Sequence, residues 1–382
     1  MAAATTTIGE LPLESTASTH RWLIAIAVML GAALEVLDNS IINVALPHLQ
    51  GAFSASVDEI AWVLTSYLVA NGIMIPMTGW ISSRFGRKRY FLTSLSVFLA
   101  ASALCGAAQS LDQMVMFRLI QGAAGAAMIP SSQAILMETF PPEQQQMAMA
   151  IWGMGLMVAP IAGPTLGGWI TDNWNWRWNF YINVPIGTVA FIMVSSFVHD
   201  PPFMRDRRAA GGRVDYAGIM LLALSVGLLQ IVLDRGQRAD WFEATWVTCA
   251  TIGSALGFVL LVWRELTFAE PILDLRIFKE RAFVVSLILT IAMSFVLFGS
   301  ILLNPLFLQE LLGYSAWKTG LVQAPLGLCS GFSMMMTGQL ARFGLNTRPL
   351  VGLGFVLIAV GAWRMGGMNP QVSMMAVLKR NV

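Results

Sequence analysis

Apolar runs of about 20 residues follow one another along almost the whole chain, each long enough to cross a bilayer as a helix. No other feature restricts the fold so strongly. In lipid every backbone amide must be bonded within its own segment, and runs of this length achieve that as helices. The expected spans cover 22–45, 60–80, 90–108, 113–137, 147–170, 178–198, 216–234, 243–263, 283–308, 317–341 and 348–366. About eleven transmembrane helices result, and the segment after Gly367 is too short and too polar to span again. Composition agrees, with 56% hydrophobic and 12% charged residues, about half the charge of an ordinary soluble domain. The fold class is an all-α, polytopic membrane protein, and no nucleic acid is expected as a partner.

The net charge of +2 says little, but its placement is informative. Lys and Arg in alternate loops number about fifteen against four, which puts the N-terminus in the cytoplasm; the cell (inner) membrane is the expected location. Residues 1–20 lack a basic, cleavable leader pattern and read as a tail. Cys105, Cys249 and Cys329 all lie inside apolar runs at unrelated spacings, so buried thiols are expected instead of disulfides or a metal site. Glycine pairs such as Gly153/Gly155 lie inside apolar runs with no Gly-Lys-Ser ending, which argues against a nucleotide-binding loop and ATP-driven transport.

The stretch Ala159–Gly187 carries Pro160, Gly163, Pro164, Gly167 and Gly168 inside one apolar helix, then an aromatic turn and a second helix. Two prolines are tolerated in a span when neighbours satisfy the freed carbonyls, and Gly163/Gly167 spacing lets a partner backbone approach. A repeat divides the chain. Met77–Gly86, with Gly79 and Arg84-Phe85-Gly86, recurs one residue shorter as Met336–Gly344. Homologous halves follow, a common transporter plan. The resulting layout is a tail (1–21), a six-helix half (22–198), a linker (199–215), an inserted two-helix hairpin (216–263), a loop (264–282) and a three-helix second half (283–382).

Ionisable groups within spans are unfavourable in lipid and by default mark a functional path. Glu35, Asp38, Asn39 and Asn43 lie three and four residues apart along one face of the first span. Arg118 and Gln121 lie in the fourth, and from their distances to the outer helix ends Asp38 and Arg118 fall at similar depth. Two readings follow: a structural ion pair joining the first and fourth helices, or a carboxylate that exchanges protons as it is alternately paired and exposed. Glu138, near a helix end, reads as solvated. No Ser/His/Asp, Cys/His or metal constellation stands at usable spacing, which disfavours an enzyme.

Several of these segments resemble the major facilitator superfamily, in its fourteen-helix drug:proton antiporter branch (EmrB/QacA-like multidrug transporters). Gly163-Pro164-x-x-Gly167-Gly168 resembles the antiporter motif, and Trp176-Arg177-Trp178-x-Phe180-x-Ile182-Asn183-x-Pro185-x-Gly187 the segment after it. Leu37–Pro47 is similar to the first-helix signature, and Arg118-Leu119-Ile120-Gln121-Gly122 to the fourth-helix motif. Gly79, Arg84, Gly86, Arg87 and Lys88 match the cytoplasmic loop motif, but Ser83 stands at its acidic position, so the loop reads as a hinge.

The resemblance implies a major facilitator type bundle that exports hydrophobic or cationic drugs in exchange for protons. It assigns proton coupling to Asp38 and Arg118, with Glu35 beside them, and implies no cofactor beyond the proton gradient. Membrane lipid is an implied partner, and in a Gram-negative cell so are a periplasmic adaptor and an outer-membrane channel. The 23 methionines suit an adaptable apolar pocket. Export of a narrower metabolite or siderophore, or a non-transporting partner subunit, are the other readings. Against fourteen helices, counterparts of the fourth to sixth are missing from the second half, roughly 80 to 90 residues. The chain is therefore expected to be an incomplete transporter that confers no drug resistance alone.

Overall fold

Side-chain caps mark some of the helix starts. Ser56 and Glu59 form a reciprocal capping box, with Ser56 N donating to Glu59 Oε2 at 2.8 Å, and Ser110 accepts from Gln113 N at 3.3 Å. Such pairs satisfy amides that have no partner inside the helix. The computed structural model describes residues 13–199, 215–268, 271–273, 275–308 and 347–366, with scattered positions between 312 and 340.

The helices are α1 (Leu13–Phe53), α2 (Trp62–Phe85), α3 (Arg87–Ala107), α4 (Leu111–Gly125), α5 (Met128–Thr139), α6 (Pro142–Asn173), α7 (Asn183–Phe197), α8 (Tyr216–Arg235), α9 (Thr245–Thr267), α10 (Arg281–Leu306) and α11 (Thr347–Gly366). Single turns, Val57–Ile60 and Trp178–Tyr181, precede α2 and α7. Among the described residues, 8 helices are long and apolar enough to cross a membrane.

Two differences from the expected spans have physical causes. The fourth span is broken into α4 and α5 at Ala126–Ala127, where Pro130 lacks the N–H that would bond the Ala126 carbonyl. The sixth is interrupted at Ile182, and there Pro185 cannot bond the Tyr181 carbonyl. In contrast, α6 runs unbroken through Pro160 and Pro164. Most of the tenth span, most of the second repeat copy, the linker from 200 to 214 and the chain after 366 lie outside the described residues.

Close helix packing in lipid depends on small residues and dispersion. α1 runs along α6 and α7, and α2 along α4. α8 pairs with α9 and rests on α2, where a Cβ on Gly227 would meet Ile73 at 3.2 Å. Both ends of this hairpin are tied. At one end Arg264 forks onto Asp215 at 3.1–3.2 Å; burial pushes the Asp215 carboxyl up, but that fork and the Gly218 amide outweigh it and hold it below its usual value. At the other end Asp234 bonds Thr65, and Arg235 stacks on Trp62 at 4.6 Å and donates to the Asp58 carbonyl at 2.9 Å.

Cys105 is buried, but Cys249 and Cys329 are exposed. An apolar run sets membrane depth, and it does not determine which side of the helix faces protein.

Candidate functional site

Asp38 lies at the centre of the polar interior, with its side chain and that of Arg118 both fully buried. Arg118 Nη1 donates to Asp38 Oδ2 at 2.6 Å and to Gln121 Oε1 at 2.9 Å. Its Nε reaches the Val63 carbonyl at 3.1 Å and its Nη2 the Asn39 side chain at 3.4 Å. Asp38 Oδ1 accepts from Gln121 at 2.9 Å and from Asn183 at 2.6 Å. A buried ion pair persists in this way when the remaining lone pairs and protons are bonded too. The guanidinium also lies 4.2 Å from the Tyr67 ring centre, a cation–π contact.

Local sequence explains the register. Val63 and Tyr67 are one turn apart on α2, as are Arg118 and Gly122 on α4. A Cβ on Gly122 would stand 2.9 Å from the Tyr67 carbonyl carbon and Cα, so only glycine lets the helices approach here. That approach brings the Val63 carbonyl within reach of Arg118. On the far side of α1, Gly163 and Gly167 press on Ser40 and Ile41, with a Gly167 Cβ only 3.1 Å from Ile41 Cα. The backbone approaching these glycines is therefore that of the helix bearing Asp38, two to three residues from the carboxylate.

Glu35, one turn before Asp38, is buried and accepts from Asn71 Nδ2 at 2.8 Å. Its Oε2 and the Tyr67 hydroxyl are buried without a hydrogen-bond partner among the described residues. Asn39 donates to the Glu35 carbonyl at 3.3 Å. Asn43 is exposed, apart from this cluster. On α6, Pro160 and Gly168 are partly buried and Pro164 is exposed, with Gly168 facing Val44.

The loop residues gather elsewhere. Gly86 adopts φ 92°, the left-handed region glycine favours, and serves as the last cap of α2 and first of α3. Arg87 pairs with Glu138 at 2.5 Å and donates to the Ala134 carbonyl at 3.2 Å. Glu138 is thus not simply solvated. An acid at a helix end gave no hint of a partner 51 positions earlier. Lys88 donates to the Ser195 carbonyl at 2.6 Å, Arg84 lies 5.9 Å from the Trp80 ring, and Gly79 faces open space.

Sequence reasoning did not single out Asn183, Ser102, Tyr67 or Asn71 as site residues. An asparagine inside an apolar run, with proline two positions on, was the available signal for Asn183. The other three are ordinary polar residues in apolar runs, and only packing brings them inward.

The Major Facilitator Superfamily profile matches residues 28–378. The chain is 38% identical over 366 residues to the multidrug export protein EmrB of Haemophilus influenzae, covering 93% of this chain and 69% of that protein. It is 40% identical over 339 residues to EmrB of Escherichia coli K12, covering 88% and 65%. It therefore spans about two thirds of the length of the curated relatives it matches. The fold is similar to that of the proton:xylose symporter XylE, with a TM-score of 0.67 at 17% identity over 95% of this chain and 78% of that one. With a matched profile over most of its length, multiple membrane-spanning helices and this bundle, the chain belongs to the Major Facilitator Superfamily.

Proposed function

We propose that the protein takes part in secondary active efflux of hydrophobic or amphiphilic, including cationic, drugs in exchange for protons. The observation that carries this reading is the fully buried Arg118–Asp38 pair, bonded also to Gln121 and Asn183 and joining α1 to α4 and α7. An ionised Asp38 holds Arg118. A protonated Asp38 offers no Coulomb attraction, so α1 and α4 can part and the bundle can rock between inward and outward access. Glu35 is a second carboxylate on the same helix face. The α6 glycines keep α1 seated during rocking, and Gly86 with the Arg87–Glu138 pair forms the hinge between α2 and α3. Energy comes from the proton gradient, with no cofactor. The names of the relatives support small-molecule drugs as cargo, and the adaptor and outer-membrane channel are partners proposed for a Gram-negative host.

The test is drug efflux from proteoliposomes with and without a pH gradient. It is run on the chain as it stands and on the chain co-expressed with the region of the Escherichia coli relative that the match leaves uncovered. Gradient-dependent efflux by the co-expressed form is expected, with none from the chain alone, and gradient-independent movement by the co-expressed form overturns the reading.

Orientation is proposed as inner membrane with the N-terminus inside. A reporter inserted near Gly211 is expected to behave as cytoplasmic, and one between Asp234 and Trp241 as external. Reports from one side for both insertions would contradict the inserted hairpin.

A further inference from the structure

Asn183 opens α7, fully buried, and its side-chain nitrogen donates twice, to Asp38 Oδ1 at 2.6 Å and to Ser102 Oγ of α3 at 3.0 Å. Ser102 in turn donates to the Phe180 carbonyl at 2.9 Å, in the turn just before the break in the sixth span. Both amide hydrogens are spent. Asn183 Oδ1 is left buried with no partner among the described residues, which is unfavourable in a dry interior. While Asp38 is a carboxylate the amide cannot turn over, because its oxygen would face an atom that only accepts.

A proton on Asp38 inverts that constraint. The carboxylic acid O–H now needs an acceptor, and half a turn about the Asn183 Cβ–Cγ bond presents Oδ1 to it. The same turn brings Oδ1 to Ser102, whose hydroxyl can then donate to the amide and leave the Phe180 carbonyl. We propose that Asn183 and Ser102 form a relay that reads whether Asp38 carries a proton and passes that state to the contact between α3 and the start of α7. Asn183 is a positioning residue in this scheme, and the inference rests on Asp38 being the proton carrier. The other charged or titratable groups around Asp38 are Arg118 of α4, Glu35 on α1 itself, Tyr67 of α2 and Cys105 of α3. Asn183 is bonded directly to both Asp38 and Ser102, and its amide can turn either a donor or an acceptor towards the carboxyl group.

The experiment is infrared difference spectroscopy, acid minus alkaline, on the purified 382-residue chain with asparagine carbonyls labelled with carbon-13. The expected result is a protonated-carboxyl band lost in Asp38→Asn, accompanied by a labelled amide band that shifts with the same midpoint. That amide shift is lost in Asp38→Asn and in Asn183→Leu. Ser102→Ala keeps the carboxyl band and changes the size of the amide shift. A carboxyl band that titrates and depends on Asp38, without any labelled amide response in the wild type, overturns the relay and leaves Asp38 as proton carrier. Absence of an Asp38-dependent carboxyl band overturns both. If Asn183→Leu does not fold, the wild-type, Asp38→Asn and Ser102→Ala spectra decide the matter without it.

Discussion

In the chain completed by co-expression with the region that the relatives carry beyond the match, Asp38→Asn is expected to abolish pH-gradient-driven drug efflux, reducing it to the leak of protein-free vesicles. The substitution keeps the shape of the side chain and removes its titrating charge. It also leaves Arg118 buried without its counter-ion, and breaking a buried pair from one side destabilises by on the order of 3–5 kcal/mol. A loss of efflux alone would therefore not separate a coupling role from a structural one. The double change Asp38→Asn with Arg118→Gln makes that separation, since it removes both charges and relieves the uncompensated guanidinium. If the pair exists for coupling, the double variant recovers abundance and thermal stability but not gradient-driven efflux. Should it export drug with a normal dependence on the gradient, the pair is a structural clasp between α1 and α4. Glu35→Gln is expected to cost less, because the Glu35 side chain is met by the Asn71 amide and lacks the arginine that holds Asp38.

The second large effect is expected at Gly122. An alanine Cβ there would fall against the Tyr67 carbonyl group, with 2.9 Å to both its carbon and the Cα. Backbone lies on both sides, so no side chain can yield, and α2 and α4 must part. Overpacking of this kind destabilises by about 1–3 kcal/mol. It also stretches the 3.1 Å bond from Arg118 to the Val63 carbonyl one turn away. Gly122→Ala should therefore lower the unfolding temperature in detergent by several degrees and impair efflux beyond the loss in abundance. Gly79→Ala is the control, because a Cβ at Gly79 meets nothing within 4 Å and alanine favours a helix interior by about 1 kcal/mol. Equal stability and efflux in both variants would overturn the claim that close contact at Gly122 sets the position of Arg118.

Much of this protein was legible in the residues themselves, because a membrane imposes a one-dimensional code. Span length, the charge of alternate loops and the presence of a polar residue inside an apolar run are all read along the chain. Asp38 and Arg118 were therefore visible as partners at one depth before any contact was known, and Gly163 and Gly167 as a surface for another backbone. The two helix breaks were less legible, since Pro130 and Pro185 interrupt their helices while Pro160 and Pro164 do not.

What the tertiary structure alone decided was direction around each helix axis. Asn183, Ser102, Tyr67 and Asn71 join the interior, Asn43 stays outside it, two cysteines face outward, and Glu138 finds Arg87. The physical reason is that hydropathy in lipid measures depth, and lipid tails and packed side chains are equally apolar. Which face of a helix meets a neighbour depends on small residues such as Gly122 and Gly167 fitting a particular partner backbone, and that fit exists only once both helices are in place.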